Sequence, residues 1–214
     1  MLRLTMTLPR MRIAAPVALV MLTAACGSNS PSSTTAPSSP TSFHAEVTDP
    51  SGDAVASPGV ATAPDLMHGI VDVASGNITF TIQFAPGTLD RQTTLLGFEL
   101  DTDQDPSTGI PGATGVGIDY HVGLRASSSS ATVEKATPST CTPPNGSSCY
   151  MTVGTAPIRV GTDSLTITVS LVMLGSVAGR LNYRVFAYAA PPTAAPAGVA
   201  DVMPDINLPP ARVP

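Results

Sequence analysis

The chain contains no tryptophan, and only four tyrosines and five phenylalanines occur among its 214 residues. Broad aromatic platforms for stacking a sugar ring are therefore scarce. Lysine occurs once, at Lys135, and the arginines form no run and no pattern with aromatics, which argues against nucleic-acid binding. No Gly-x-Ser-x-Gly elbow, His-Glu-x-x-His helix or glycine-rich phosphate loop is present. Nucleophilic catalysis needs a base beside a serine or cysteine and a third group to orient it. Serines here concentrate in residues 27–42 and at Ser127 to Ser130, so the chain reads as something other than an enzyme. Helical periodicity is missing too; the best stretch is a turn or two from Leu171 to Val177, bounded by Gly175 and Gly179.

What is present begins with an address. Arg3, Arg10 and Arg12 precede an apolar stretch from Ile13 to Ala25 that is too short to span a bilayer. The stretch ends in Leu22-Thr23-Ala24-Ala25-Cys26, which resembles the lipobox of bacterial lipoproteins. That resemblance implies removal of residues 1–25, acylation of Cys26 and display on the extracytoplasmic face of a bacterial membrane, held by the lipid. The alternative is an ordinary signal peptide with an unrelated cysteine. Residues 26–42 then form a tether rich in serine, proline and threonine, with no charge and little apolar bulk to bury. Loss of the leader leaves seven basic residues against fifteen acidic ones, a net charge of about −8.

Cysteine count fits that compartment, since lipidation of Cys26 leaves Cys141 and Cys149 as an even pair. A disulfide across the loop sequence Thr-Pro-Pro-Asn-Gly-Ser-Ser is expected. Zinc is the rival reading, but the spacing is wide and no histidine is near.

Beyond the tether, patterning is that of strands. Asn77 to Phe84 alternates without error, and Asp163 to Leu171 does the same. Further strands are expected at Ser42 to Val47, Met67 to Val73, Thr93 to Leu100, Gly117 to Leu124, Ala131 to Ala136, Tyr150 to Val153 and Asn182 to Tyr188, separated by turn signals such as Ser75-Gly76-Asn77. Eight or nine short strands with little helix predict an all-β, antiparallel, jelly-roll-like β-sandwich over residues 43–190. Residues 191–214, rich in proline and alanine, are expected to be irregular.

Carboxylates cluster at strand ends. Asp101, Asp103 and Asp105 alternate in Asp-Thr-Asp-Gln-Asp-Pro-Ser-Thr-Gly, and Asp119 follows in Gly-Ile-Asp-Tyr. Aspartates so spaced can give a hard cation several oxygens from one bend. The spacing starts like an EF-hand loop, but Pro106 and Gly112 stand where a glycine and a closing glutamate are required. Two other readings stay open. Aspartate caps turns through its own backbone, and two close carboxylates can serve as an acid pair. Asp49, Asp53 and Asp65 form a second acidic group of the same kind, first of all a turn.

The order Asp-Pro-Ser-Gly-Asp, Pro-Asp-Leu, alternating strand, Phe-Glu-Leu-Asp-Thr-Asp-Gln-Asp-Pro-Ser-Thr-Gly, Gly-Ile-Asp-Tyr-His-Val and Asp-Val-Met-Pro-Asp resembles β-sandwich modules of bacterial secreted proteins, the group that includes DOMON-like and family 9 carbohydrate-binding-like domains. The resemblance runs from Phe43 to Asp205. It implies bound calcium and a binding role, with Asp101, Asp103, Asp105 and Asp119 as the metal residues. Tyr120 alternates with Val122 and Leu124 as a core residue, which leaves few aromatics for a sugar site. Haem, another ligand in that group, needs axial histidine or methionine, and no pairing among His44, His68, His121 and the methionines is legible. The expectation is an envelope-anchored, calcium-stabilised binding or interaction module whose partner is an envelope protein or glycan. The alternatives are an accessory lipoprotein without a small-molecule ligand, or a carbohydrate-binding domain.

Overall fold

The computed structural model describes residues 42–214 apart from 57, 113–114, 142–148 and 197. Among the described residues thirteen strands run in chain order: β1 (Phe43–Thr48), β2 (Leu66–Ala74), β3 (Asn77–Phe84), β4 (Thr94–Asp101), β5 (Ile110–Pro111), β6 (Gly117–Ile118), β7 (Tyr120–Arg125), β8 (Ser130–Ala136), β9 (Tyr150–Val160), β10 (Ser164–Ser170), β11 (Leu181–Ala189), β12 (Val199–Met203) and β13 (Ala211–Val213). Among the described residues the only helical piece is one 3-10 turn, Pro138–Thr140.

The alternating segments pair as their patterns require. In β3 and β10, Phe80 faces Ile167 and Ile78 faces Val169, all buried. On the wet face Thr79 meets Thr168 and Thr81 meets Thr166, each hydroxyl pair 3.3 Å apart, a cross-strand contact that reinforces the register. Ser75 and Gly76, with φ of 53° and 77°, close the β2–β3 hairpin. Positive φ at both positions suits the twist of the strands they join.

Hydrogen bonding links the strands in the order β1-β2-β3-β10-β9-β8-β7-β4-β11-β12, with β13 on β11 and a separate β5–β6 ribbon. Every pair is antiparallel. Strand β9 passes between the two layers, since Tyr150 to Pro157 pairs with β8 while Ile158 to Val160 pairs with β10. The layers then face one another. Phe80 of β3 lies 5.2 Å from Phe98 of β4 and 5.6 Å from Tyr183 of β11, centroid to centroid; such tilted and edge-on contacts add about 0.5–1.5 kcal/mol each beyond the area they bury. At the opposite margin, Met203 of β12 packs directly over Gly69 of β2, where a Cβ would meet the methyl at 2.7 Å. The result is an all-β antiparallel sandwich, nearly closed into a barrel.

Eight of the nine expected strand segments form as single strands, and Gly117 to Leu124 is split at Asp119 into β6 of the small ribbon and β7 of the main sheet. Two further expectations need correction. β9 continues seven residues past Val153, to Val160: its burial does not alternate cleanly because the strand is shared by two layers and a bulge interrupts its pairing at Val133/Glu134 of β8. Residues 191–214 are not irregular throughout, because β12 and β13 both add to β11. These strands are short, so pairing with an already formed edge decides their structure rather than local pattern.

Candidate functional site

Strand β4 delivers Asp101 to the end of its ladder with β7, and the pairing of Leu100 with Tyr120 sets Asp119 across from Asp101. Residues 102–118 leave and return between them as a loop carrying the β5–β6 ribbon. Asp119 is further fixed by its backbone, whose amide donates to Leu100 O at 2.9 Å and whose carbonyl accepts the Ala136 amide at 2.7 Å.

The loop brings Asp103 back over this pair. Asp101, Asp103 and Asp119 each place a carboxylate oxygen within 4.8 Å of the others. Asp101 is fully buried, its two oxygens accepting from the Asp105 amide at 3.1 Å and the Asn182 side-chain amide at 3.0 Å. Burial raises its pKa above the usual carboxylate range, against the Asn182 hydrogen bond and with help from Asp103. Asp103 accepts from the Asp105 amide and the Thr108 hydroxyl, and Asp119 from the Thr102 amide and hydroxyl at 2.9 and 2.8 Å. Asp103 and Asp119 line an open pocket with Thr102, Lys135 and Gly175, and Asp101 lies buried behind them.

Asp105 does something else. Its carboxylate accepts the Ser107 hydroxyl at 2.6 Å and the Ser107 amide at 3.0 Å, and the hydroxyl, then the amide, holds its pKa below the ordinary value. Of the four predicted metal residues, three therefore converge and the fourth caps the turn. Gly109 makes the loop possible: φ is 68°, and a Cβ would lie 2.4 Å from the Ile118 carbonyl oxygen.

A second acidic group joins Asp49 and Asp53 to Asp201 of β12. Asp65 instead holds the intervening turn, its Oδ2 accepting the Gly52 amide at 2.8 Å. Asp201 in this group is a residue that local motif reading missed, because it sits in the segment expected to be irregular. Burial pushes the Asp49 carboxyl up to about 7, with Asp201, Asp205 and Asp53 adding repulsion. The nearby Asp205 amide offsets this a little without making a hydrogen bond of good geometry to either oxygen. Asp201 is pushed up to about 6, again by burial first.

The histidines are strand-surface residues beside acids: His44 lies 2.7 Å from Asp72 and 2.9 Å from Glu46, His68 3.3 Å from Glu46, and His121 3.2 Å from Glu134. Tyr120 is buried, as its alternation predicts. A disulfide joins Cys141 and Cys149. Cys26, the leader and the tether to residue 41 lie outside the described residues. No protein-family model matches the chain, and no curated protein matches it significantly.

Proposed function

We propose that this chain is an exported, lipid-anchored binding or interaction module of the bacterial envelope, with calcium held at one end of its sandwich by Asp101, Asp103 and Asp119. The observation that carries the reading is the convergence of three carboxylates from two strand ends and a loop, one of them fully buried. Carboxylate oxygens alone suit a hard cation. Oxygens within 4.8 Å of one another can share one calcium at ~2.4 Å from each. The ion would fix the 102–118 loop beside the open pocket and leave that loop surface for a partner, an envelope protein or a glycan. Attachment at Cys26 rests on the lipobox-like sequence, and a binding role rests on the family resemblance.

One observation favours a glycan. Gly97 and Gly123 are paired neighbours on the outer face of β4 and β7 with the His121 ring lying over both, in an open pocket that Tyr188 and Glu134 also line. A tyrosine beside hydrogen-bonding groups suits a sugar ring. Loss of glycan retention in affinity electrophoresis by Tyr188→Ala would support that reading; a wild type never retained would remove it.

The test of the calcium reading is thermal unfolding of the full chain in EDTA and in about 10 mM calcium. A site with a dissociation constant of about 0.1–1 mM stabilises by roughly 1.4–2.7 kcal/mol, a rise of about 3–11 °C for a domain of this size. Asp103→Asn should diminish that rise. An undiminished rise in the variant would make the 101–109 stretch a solvated turn.

A further inference from the structure

Asp49 follows β1, Asp53 lies in the turn after it, and Asp201 sits within β12. They are brought together only where β12 closes against β2. One carboxylate oxygen from each lies within 4.8 Å of the others.

The decisive feature is Asp49. It is 9% exposed, and neither of its oxygens makes a hydrogen bond of good geometry, the Asp205 amide being the one nearby donor. An aspartate that merely caps a turn spends its oxygens on nearby amides, as Asp105 does on Ser107. Asp49 makes no such well-formed bond, and its carboxylate lies against two others. Asp201 accepts one amide on each oxygen, from Leu66 at 2.6 Å and Val202 at 2.7 Å, which leaves lone pairs on both. Among the described residues no arginine, lysine or histidine pairs with Asp49, Asp53 or Asp201. Buried carboxylates crowded together without hydrogen bonds or a cation are strongly unfavourable.

We propose that Asp49, Asp53 and Asp201 form a second divalent-cation site, for calcium, which clamps the turn after β1 to strand β12. The donors are all carboxylate oxygens, which selects against zinc with its preference for nitrogen and sulfur. Oxygens within 4.8 Å of one another are close enough to share one ion at a calcium–oxygen distance of ~2.4 Å. Water and backbone carbonyls would complete a shell of six to eight. Asp65, 5% exposed, supports the site by anchoring the Ser51–Gly52 turn that carries Asp53. The ion would thus join the two layers at the margin opposite β9, where the backbone ladder is not continuous.

Calcium titration of the full chain by calorimetry tests this, using the metal alone and comparing wild type with Asp49→Asn, Asp53→Asn and Asp103→Asn. Asp49→Asn should lose one calcium equivalent that Asp103→Asn retains. In EDTA, Asp49→Asn should melt above wild type, because the substitution removes a repelled buried charge. Asp53 is exposed, so Asp53→Asn leaves the core intact and should weaken the same equivalent at least ten-fold. Wild-type affinity and stoichiometry in both Asp49→Asn and Asp53→Asn would overturn the proposal, as would a wild type that binds no calcium.

Discussion

The carboxylate of Asp201 accepts the amide hydrogen of Leu66 at 2.6 Å, joining two residues 135 apart in the chain. Leu66 opens β2 in one layer, and Asp201 belongs to β12 in the other. This bond, with Val55 N donating to Ala200 O at 2.7 Å, draws the margin of the sandwich shut. It also sets Asp201 beside Asp49. Closure and acidic crowding therefore share one structural cause, and stability should respond to the charge of that corner.

Without divalent cations the protein should lose stability as pH rises. Asp49 and Asp201 titrate near about 7 and about 6 in the fold, above the ordinary carboxylate value of 3.8. Their folded forms hold protons that the unfolded chain has released, so their contribution is full below about 4 and fades as pH passes through the folded values. His44, raised by its hydrogen bond to Asp72 and then by Glu46, acts in the same direction, though it is exposed and screened. Melting in EDTA should be highest near pH 5 and lower at pH 8. Calcium should narrow or reverse the difference, because it binds the ionised carboxylates. A melting temperature that climbs steadily from pH 5 to 8 in EDTA would contradict the assignment.

Gly109→Ala should damage the 102–118 loop. A left-handed conformation costs a residue with a Cβ about 1–2 kcal/mol, and at φ 68° the new methyl would also press on the Ile118 carbonyl, 2.4 Å away. Urea unfolding should show a loss of roughly 2 kcal/mol or more. A change under about 0.5 kcal/mol, the range of neutral surface substitutions, would mean that the loop does not have this backbone.

Arg184 is fully buried, and its guanidinium donates to the carbonyls of Pro204, Asp205 and Leu208. Arg184→Met fills similar space but supplies no donor. Hydrogen bonds to charged groups are worth about 1.5–3 kcal/mol, so the variant should lose at least that much stability. Hydrogen exchange should accelerate first along residues 204–208. Unchanged protection there would show that packing alone holds the segment.

The alternation in Asn77 to Phe84 and Ser164 to Ser170 was sufficient to define strands, inward faces and an antiparallel class, because a period of two leaves one way to bury Phe80 and Ile167. Turn chemistry at Ser75-Gly76 was equally local. Asp101 and Asp119 could be singled out as strand-end carboxylates, but their meeting depended on the β4–β7 register. Asp105 shows the limit from the other side. Its spacing matches Asp101 and Asp103, yet a hydroxyl two residues on captures its carboxylate. Nothing local distinguishes a ligand from a cap, since both use the same oxygens and only the direction of the folded loop separates them. Strands β12 and β13 carry too little pattern to be read, because an edge strand borrows its conformation from the neighbour it pairs with. The grouping of Asp201 with Asp49 follows from that pairing, and contacts between such distant segments exist only once the two layers have closed.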